Sequence, residues 1–354
     1  MSRIRASVAL LVSVALLAMA GSAFASEEQV GLFDPASGRW HLRTGGEDAT
    51  SFFYGIPGDV PLFGDWDCDG VDTVGMYRPS SGFVYVRNSN DFGVADLEFF
   101  FGIPGDVPLV GDWDGDGCDT LAVYRSGEVF VSDTLGTVVA DSSFFFGIPG
   151  DRPFTADFDG DTKTTVGVYR ESSGFVYLRN DLVTGVAEQE FFYGVPSDRI
   201  VAGDWDDDGD QTVGIFRPSL VRFFLSNTNA TVLADEEFDF GASAWLPVAG
   251  EFTTLEISTP PTDILSFPAA FDAGAGDFVA EVLLEAAVDV PGGAPFTVSW
   301  QSDREGPLGT GATITASLST DLADTASHVI TATVTTASGA VADTIRVIVF
   351  VPSN

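Results

Sequence analysis

The sequence predicts an all-β protein: a five-bladed β-propeller closed by both chain ends, plus a C-terminal β-sandwich. Three observations predict it. A unit with an acidic loop recurs four times, the loops opening at Asp65, Asp112, Asp157 and Asp204. The array starts and stops partway through a unit, and the two fragments add up to one more. Beyond residue 252 the repeat gives way to short alternating strands of a different kind.

The chain opens on a segment that reads as a secretory signal, residues 1–25. Arg3 and Arg5 precede an apolar run from Val8 to Ala20, and Ala23-Phe24-Ala25 supplies a small-x-small cleavage site. The run is shorter than the ~20 residues of a spanning helix, so export without membrane insertion is expected, to the extracellular space or a periplasm.

The propeller is expected over 26–252. Residues 52–88 (FFYGIPGDVPLFGDWDCDGVDTVGMYRPSSGFVYVRN) set the pattern, which returns from Phe99, Phe144 and Phe191. Each unit parses into four strands, as at 60–66, 72–78, 83–88 and 95–101. Alternation, β-branched and aromatic residues, and Gly or Pro at every junction mark antiparallel strands. Residues 30–43 (VGLFDPASGRWHLR) match 74–87, and 239–252 (DFGASAWLPVAGEF) match the opening of the fourth copy. Three strands at the front and one at the back complete a fifth blade, a closure that leaves no exposed sheet edge. Residues 253–261, with Ser258-Thr-Pro-Pro261, are expected to be a linker, and 262–354 a β-sandwich with Trp300 in its core.

Acidic residues outnumber Lys and Arg 52 to 16, a formal charge of −36. That balance excludes nucleic acid as a partner, which requires clustered basic residues. The chain has only two His, His41 and His328, in different predicted domains and without a nucleophile motif beside either. No catalytic constellation is present, so a non-catalytic protein is expected.

The acidic loops carry the one clear chemical signal. They contain Asp65, Asp67, Asp69 and Asp72; Asp112, Asp114, Asp116 and Asp119; Asp157, Asp159 and Asp161; and Asp204, Asp206 and Asp208. Carboxylates at positions 1, 3 and 5 can fold around one hard cation, with Gly at 6 permitting the turn, so calcium is the expected cofactor. An EF-hand is excluded, because its bidentate Glu at position 12 is replaced by Met76, Val123, Val168 and Ile215. The third loop has Thr162 for Gly and Lys163 nearby, which predicts a weaker or empty site.

A strand–DxDxDG–strand hairpin with Phe-Gly shortly before it resembles the FG-GAP and VCBS repeats of integrin-type propellers, over about residues 30–252. That resemblance implies calcium bound through the Asp side chains of these loops. The family's usual Asp at position 9 is Thr73, Thr120, Thr165 and Thr212 here, with Asp72 and Asp119 at position 8 as possible substitutes. Five short units are closer in size to tachylectin-like lectin propellers. The C-terminal stretch, through SWQSDREGPLGTGATITASLS and HVITATVTTASGAVADTIRVIV, resembles bacterial immunoglobulin-like and PKD-like domains.

Other repeated positions have structural readings. Arg78, Arg125, Arg170 and Arg217 are expected to pair with Asp59, Asp106, Asp151 and Asp198. The aromatic runs starting at Phe52, Phe99, Phe144 and Phe191 are expected to pack between blades, and Trp66, Trp113, Phe158 and Trp205 to pack in the core. Export makes a disulfide between Cys68 and Cys118 possible. Their place in equivalent loops of neighbouring units argues against it, since such loops are expected to lie beyond the ~7 Å Cα limit.

Together these features predict a secreted, calcium-stabilised binding module for adhesion or carbohydrate recognition, with a glycan or a surface protein as partner. A structural matrix protein and a five-bladed-propeller glycosidase are the alternatives.

Overall fold

The computed structural model describes residues 28–45, 48–261, 265–273, 277–320 and 325–352. The expected signal segment lies outside the described residues. Among them the regular structure is β-strand, apart from one short 3₁₀ turn at Pro291–Gly293. No helix is long and apolar enough to cross a membrane.

The chain begins with β1 (Gln29–Asp34), β2 (Arg39–Gly45) and β3 (Asp48–Phe53). The first full unit then gives β4 (Val60–Gly64), β5 (Thr73–Arg78), β6 (Phe83–Val86) and β7 (Leu97–Phe100). The second gives β8 (Val107–Gly111), β9 (Thr120–Arg125), β10 (Glu128–Val131) and β11 (Ser142–Phe145). The third gives β12 (Arg152–Ala156), β13 (Thr165–Arg170), β14 (Phe175–Leu178) and β15 (Gln189–Phe192). The fourth gives β16 (Arg199–Gly203), β17 (Thr212–Arg217), β18 (Arg222–Leu225) and β19 (Glu236–Asp239).

Each full unit is one four-stranded antiparallel sheet in chain order. A further strand, β20 (Leu246–Gly250), pairs antiparallel with β1 to give an all-antiparallel sheet β20-β1-β2-β3, mixed in that its strands come from both ends of the array. The first strands of successive sheets lie side by side: β4 on β8, β8 on β12, β12 on β16, β16 on β20 and β20 on β4. The result is a β-propeller-like arrangement that returns on itself.

Strand chemistry explains the layering. The second strands, such as TVGMYR in β5, are buried almost throughout because both faces meet neighbouring sheets. The third strands alternate, with Val84 and Val86 inside and Phe83 and Tyr85 partly exposed. In the aromatic runs the first and third rings are buried, for example Phe99 and Phe101, while the middle ones, Phe53, Phe100, Phe145 and Phe192, are about half exposed. Trp66, Trp113, Phe158 and Trp205 are core residues, as expected.

The C-terminal region packs two sheets face to face. One contains β21 (Thr254–Thr259), β23 (Ala270–Asp272), β24 (Asp277–Asp289) and β27 (Thr313–Thr320). The other contains β22 (Ser266–Pro268), β25 (Thr297–Ser302), β26 (Gly306–Thr310), β28 (Thr325–Thr336) and β29 (Gly339–Phe350). Trp300, Val282, Leu284, Leu318, Val334 and Val347 form the core between them. The expected linker over 253–261 needs correction. Leu255 and Ile257 point into this core, so β21 is a strand paired with β24. The Pro291–Gly293 turn rests on the first acidic loop, where a Cβ on Gly292 would come within 2.4 Å of Asp69 O.

Candidate metal centre

Each acidic loop joins the first strand of a sheet to its second. The loop folds around its first aspartate. Asp65 accepts the backbone N–H of Asp69 through Oδ1 (3.1 Å) and of Gly70 through Oδ2 (2.8 Å). Asp112 accepts from Gly115, Asp116 and Gly117 at 2.8, 3.1 and 2.8 Å. Asp157 and Asp204 repeat the pattern. The fifth-position aspartates then accept the N–H two residues on: Asp69 from Val71, Asp116 from Cys118, Asp161 from Lys163 and Asp208 from Asp210. These side chains therefore replace the strand ladder that the loop lacks.

That folding brings the predicted ligands together. In Asp65/Asp67/Asp69, Asp112/Asp114/Asp116, Asp157/Asp159/Asp161 and Asp204/Asp206/Asp208, one carboxylate oxygen from each residue lies within 4.8 Å of the others. The third loop keeps this geometry, with Thr162 taking the left-handed φ of +73° that Gly holds elsewhere. Burial raises the pKa of Asp65 and of Asp157, and burial followed by repulsion from Asp69 raises that of Asp67. A hard divalent ion fits this donor set of three crowded carboxylates, all of them oxygen ligands.

Residues beside the triads were not singled out from the sequence. Asn88 donates its side-chain N–H to Asp67 (2.7 Å). In the second unit Asp133 stands at the position of Asn88, where burial and the nearby Asp114 raise its pKa. Its signal was the repeat alignment itself, which sets Asn88 against Asp133.

Asp72 and Asp119, expected as substitute ligands, are a correction. Both turn toward the backbone of the neighbouring unit. Asp119 Oδ2 accepts the N–H of Asp65 (2.9 Å), while Asp119 N–H donates to Asp65 O (2.8 Å). Asp72 Oδ2 accepts the N–H of Glu251 (2.8 Å), while its own N–H donates to Glu251 O. Thr164 with Asp112, and Gln211 with Asp157, make the same reciprocal pair. Glu28 N–H donates to Asp204 O and supplies the fifth latch. Every unit is thus clasped to the next through a residue eight places into its acidic loop. The ring is closed by Glu28 and Glu251, from opposite ends of the array.

The latch needs close approach. A Cβ on Gly64 would sit 2.7 Å from Asp119 Oδ2, and one on Gly250 would sit 2.2 Å from Asp72 Oδ2. Glu28, Asp72, Asp119, Gln211 and Glu251 line an axial opening of about 230 Å³. Desolvation there pushes Glu28 up to about 8 and Asp119 up to about 7. It also raises Asp72, with repulsion from Asp119 and Glu28 adding to the effect.

The latch also overturns the expectation for the cysteines. The acidic loops sit where the sheets converge on the axis, so neighbouring loops touch. Cys68 and Cys118 form a disulfide with a Cα separation of 4.6 Å.

At the other end of the first strands lie the Arg–Asp pairs, as expected. Arg78–Asp59, Arg125–Asp106, Arg170–Asp151 and Arg217–Asp198 are close ion pairs with the carboxylates buried. Each guanidinium also lies over a ring: Tyr85, Phe130, Tyr177 and Phe224. In the mixed sheet Asp34 stands at the Arg position and Trp245 at the Asp position, and Trp245 stacks on His41 at 4.0 Å. The other histidine, His328, is sealed in the sandwich between Ser302 and Ser319 O. The two histidines thus share no site.

No family model and no curated protein matches the chain. Two solved structures similar to it are the N-terminal part of BBS1 in complex with ARL6 and an Agrocybe aegerita lectin that recognises non-reducing terminal N-acetylglucosamine. The first is 10% identical at a TM-score of 0.34, covering 90% of this chain and 86% of that one. The second is 12% identical at a TM-score of 0.36, covering 94% and 97%.

Proposed function

We propose that the chain is a secreted, calcium-stabilised, non-catalytic binding module. It is read as a five-bladed propeller, with its fifth blade shared between the chain ends, carrying an immunoglobulin-like sandwich and serving carbohydrate recognition or adhesion. The observation that carries the cation reading is the convergence of three aspartates in each of four equivalent loops. Asp65, Asp67 and Asp69, and their counterparts in the other units, would hold the ion, which would neutralise repelling carboxylates and pin each loop. The pinned loops in turn hold the latches, so the role of the ion is structural.

Two further observations support a binding role over a catalytic one. The aspartates of the loop triads recur in every full unit, as a structural cation site repeated with the fold would, and His41 and His328 are each occupied in packing. The export reading rests on the signal-like N-terminus, and millimolar calcium outside cells suits sites with dissociation constants near ~10⁻⁴–10⁻³ M. Thermal unfolding of the full chain with calcium and then with chelator tests the cation. A glycan array probed with the calcium-loaded chain tests recognition, and an array without hits overturns the carbohydrate reading.

A further inference from the structure

The four Arg–Asp pairs are not four copies of one site. In the first unit a cleft of about 140 Å³ opens beside Asp59, Arg78 and Tyr85, walled by Ile56, Gly93 and Ala95. In the third unit a cleft of about 220 Å³ opens at the same place beside Asp151, Arg170 and Tyr177, walled by Ile148 and Val186.

These two units share features that the second and fourth lack. Tyr85 and Tyr177 accept Nη1 of Arg78 and Arg170 at 2.6 Å, whereas Phe130 and Phe224 stand there in the other two. The outer wall is fixed in the same way in both. Arg87 Nη1 donates to Val94 O (2.8 Å), and Arg179 Nη1 donates to Val186 O (2.7 Å). Each of these arginines is held by an aspartate, Asp91 or Asp181. A Cβ on Gly93 would meet Arg87 Cζ at 2.3 Å, and one on Gly185 would meet Arg179 Nη1 at 2.2 Å, so each guanidinium packs directly on the glycine backbone and would have to shift for a larger residue. The second and fourth units have Ser132 and Ser226 in place of the two arginines.

The tyrosine hydroxyl is not needed to hold the ion pair, because Arg125–Asp106 and Arg217–Asp198 form equally well beside Phe. What it adds is a polar atom on the wall of an open cleft. We propose that these two clefts are the ligand sites of the module, each taking one neutral, hydroxyl-rich sugar ring; this rests on the carbohydrate reading above. The floor is rigid and charge-balanced, since each carboxylate is matched by its arginine and also accepts the N–H of Ile56 or Ile148. The guanidinium edge and the tyrosine hydroxyl offer donor and acceptor groups to ring hydroxyls. Half-exposed Ile56 and Ile148, with the more exposed Val94 and Val186, offer an apolar lip to the C–H face of a sugar. Acidic sugars are disfavoured by the charge of −36 and by Glu190 at the third-unit cleft.

The test uses the full calcium-loaded chain on an array of neutral and sialylated glycans, followed by titration calorimetry with the best neutral hit. The variants are Tyr85→Phe, Tyr177→Phe and both together, which place in units one and three the residue that units two and four already fold with. Two sites per chain are expected, falling to one in each single variant. In the double variant affinity is expected to drop at least tenfold with unchanged melting temperature. Neutral-glycan binding that survives the double variant overturns these sites while leaving the carbohydrate reading intact. Binding confined to sialylated glycans overturns the neutral-sugar assignment. No glycan binding by folded protein overturns both.

Discussion

Replacing Asp114 by alanine separates the cation from the folding of its loop. Asp114 is exposed, and it accepts a long hydrogen bond from Asp116 N–H, 3.2 Å, while standing beside the carboxylates of Asp112 and Asp116. Without a cation its loss should therefore change stability by no more than ~0.5 kcal/mol. With one, the site is disabled. A site with a dissociation constant near ~10⁻⁴ M in about 1 mM free calcium contributes RT ln(1 + [L]/Kd), about 1.4 kcal/mol. Four such sites contribute about 6 kcal/mol, which for a domain of this size raises the melting temperature by about 10–20 °C. Asp114→Ala should remove about a quarter of that rise and leave the chelated protein unchanged. Asp112→Ala behaves differently, because Asp112 accepts three backbone N–H groups that would be left without their acceptor. It should cost about 2–4 kcal/mol even in chelator. Differential scanning calorimetry of the wild type and both variants, with calcium and with chelator, reads all six values. A wild-type melting temperature that moves with neither reagent refutes the cation assignment.

Three other outcomes follow from the latches and the disulfide. Gly250→Val places methyl groups where Asp72 Oδ2 already sits 2.2 Å from the Cβ position, so urea unfolding should show a loss above ~2 kcal/mol; an unchanged midpoint would mean the ring is not closed there. In chelator, Glu28 at about 8 binds its proton more tightly folded than unfolded, so the stability it confers is complete below about pH 4.5 and is lost as pH rises toward 8. Glu28→Gln should flatten that decline in a melting-temperature series across pH. Cys68→Ser/Cys118→Ser opens a loop with a sequence separation of 50 and should cost about 4 kcal/mol, and unreduced wild type denatured in urea should show no thiol reactive toward Ellman's reagent.

The strands, the loop triads, the Arg–Asp pairs and the mixed sheet were legible because each rests on a local pattern repeated several times. Repetition turns a weak alternation such as FVYV into a firm assignment, and it places Asp65, Asp112, Asp157 and Asp204 at one structural position. What was illegible depends on how units meet. The disulfide is illegible because sequence places Cys68 and Cys118 in equivalent loops of neighbouring units without saying how near those loops come; they lie on the axis, where Asp65 and Asp119 exchange two hydrogen bonds. The strand at 254–259 was hidden because Pro260-Pro261 follows it directly, and two buried apolar residues are a faint signal.

Glu28 and Glu251 show how the ring's closing joint is made from the same parts as the others. Gly250-Glu251 stands where Gly64-Asp65 stands in the first unit, and Glu28-Gln29-Val30-Gly31 stands where Asp72-Thr73-Val74-Gly75 stands. The acidic loop of the mixed sheet is therefore cut in two, with no DxDxD segment between its halves. A closure made of two ends of the array gains no covalent continuity, and among the described residues no aspartate triad converges there. Its hold comes from the strand pairing of β1 with β20, from the apolar packing of Phe33 with Val248 and of Val30 and Leu32 with Val201, and from the two latches that flank it, Glu28 with Asp204 and Asp72 with Glu251. The β-sandwich begins three residues after Glu251, and its 3₁₀ turn lies against the first acidic loop, at the far side of one of those latches. The sandwich is thus placed to brace the one joint that the repeat leaves without an acidic triad. In a chain ended after Phe252, amide hydrogen exchange should speed up first in β1 and β20, and exchange that rises evenly over all sheets would refute that role.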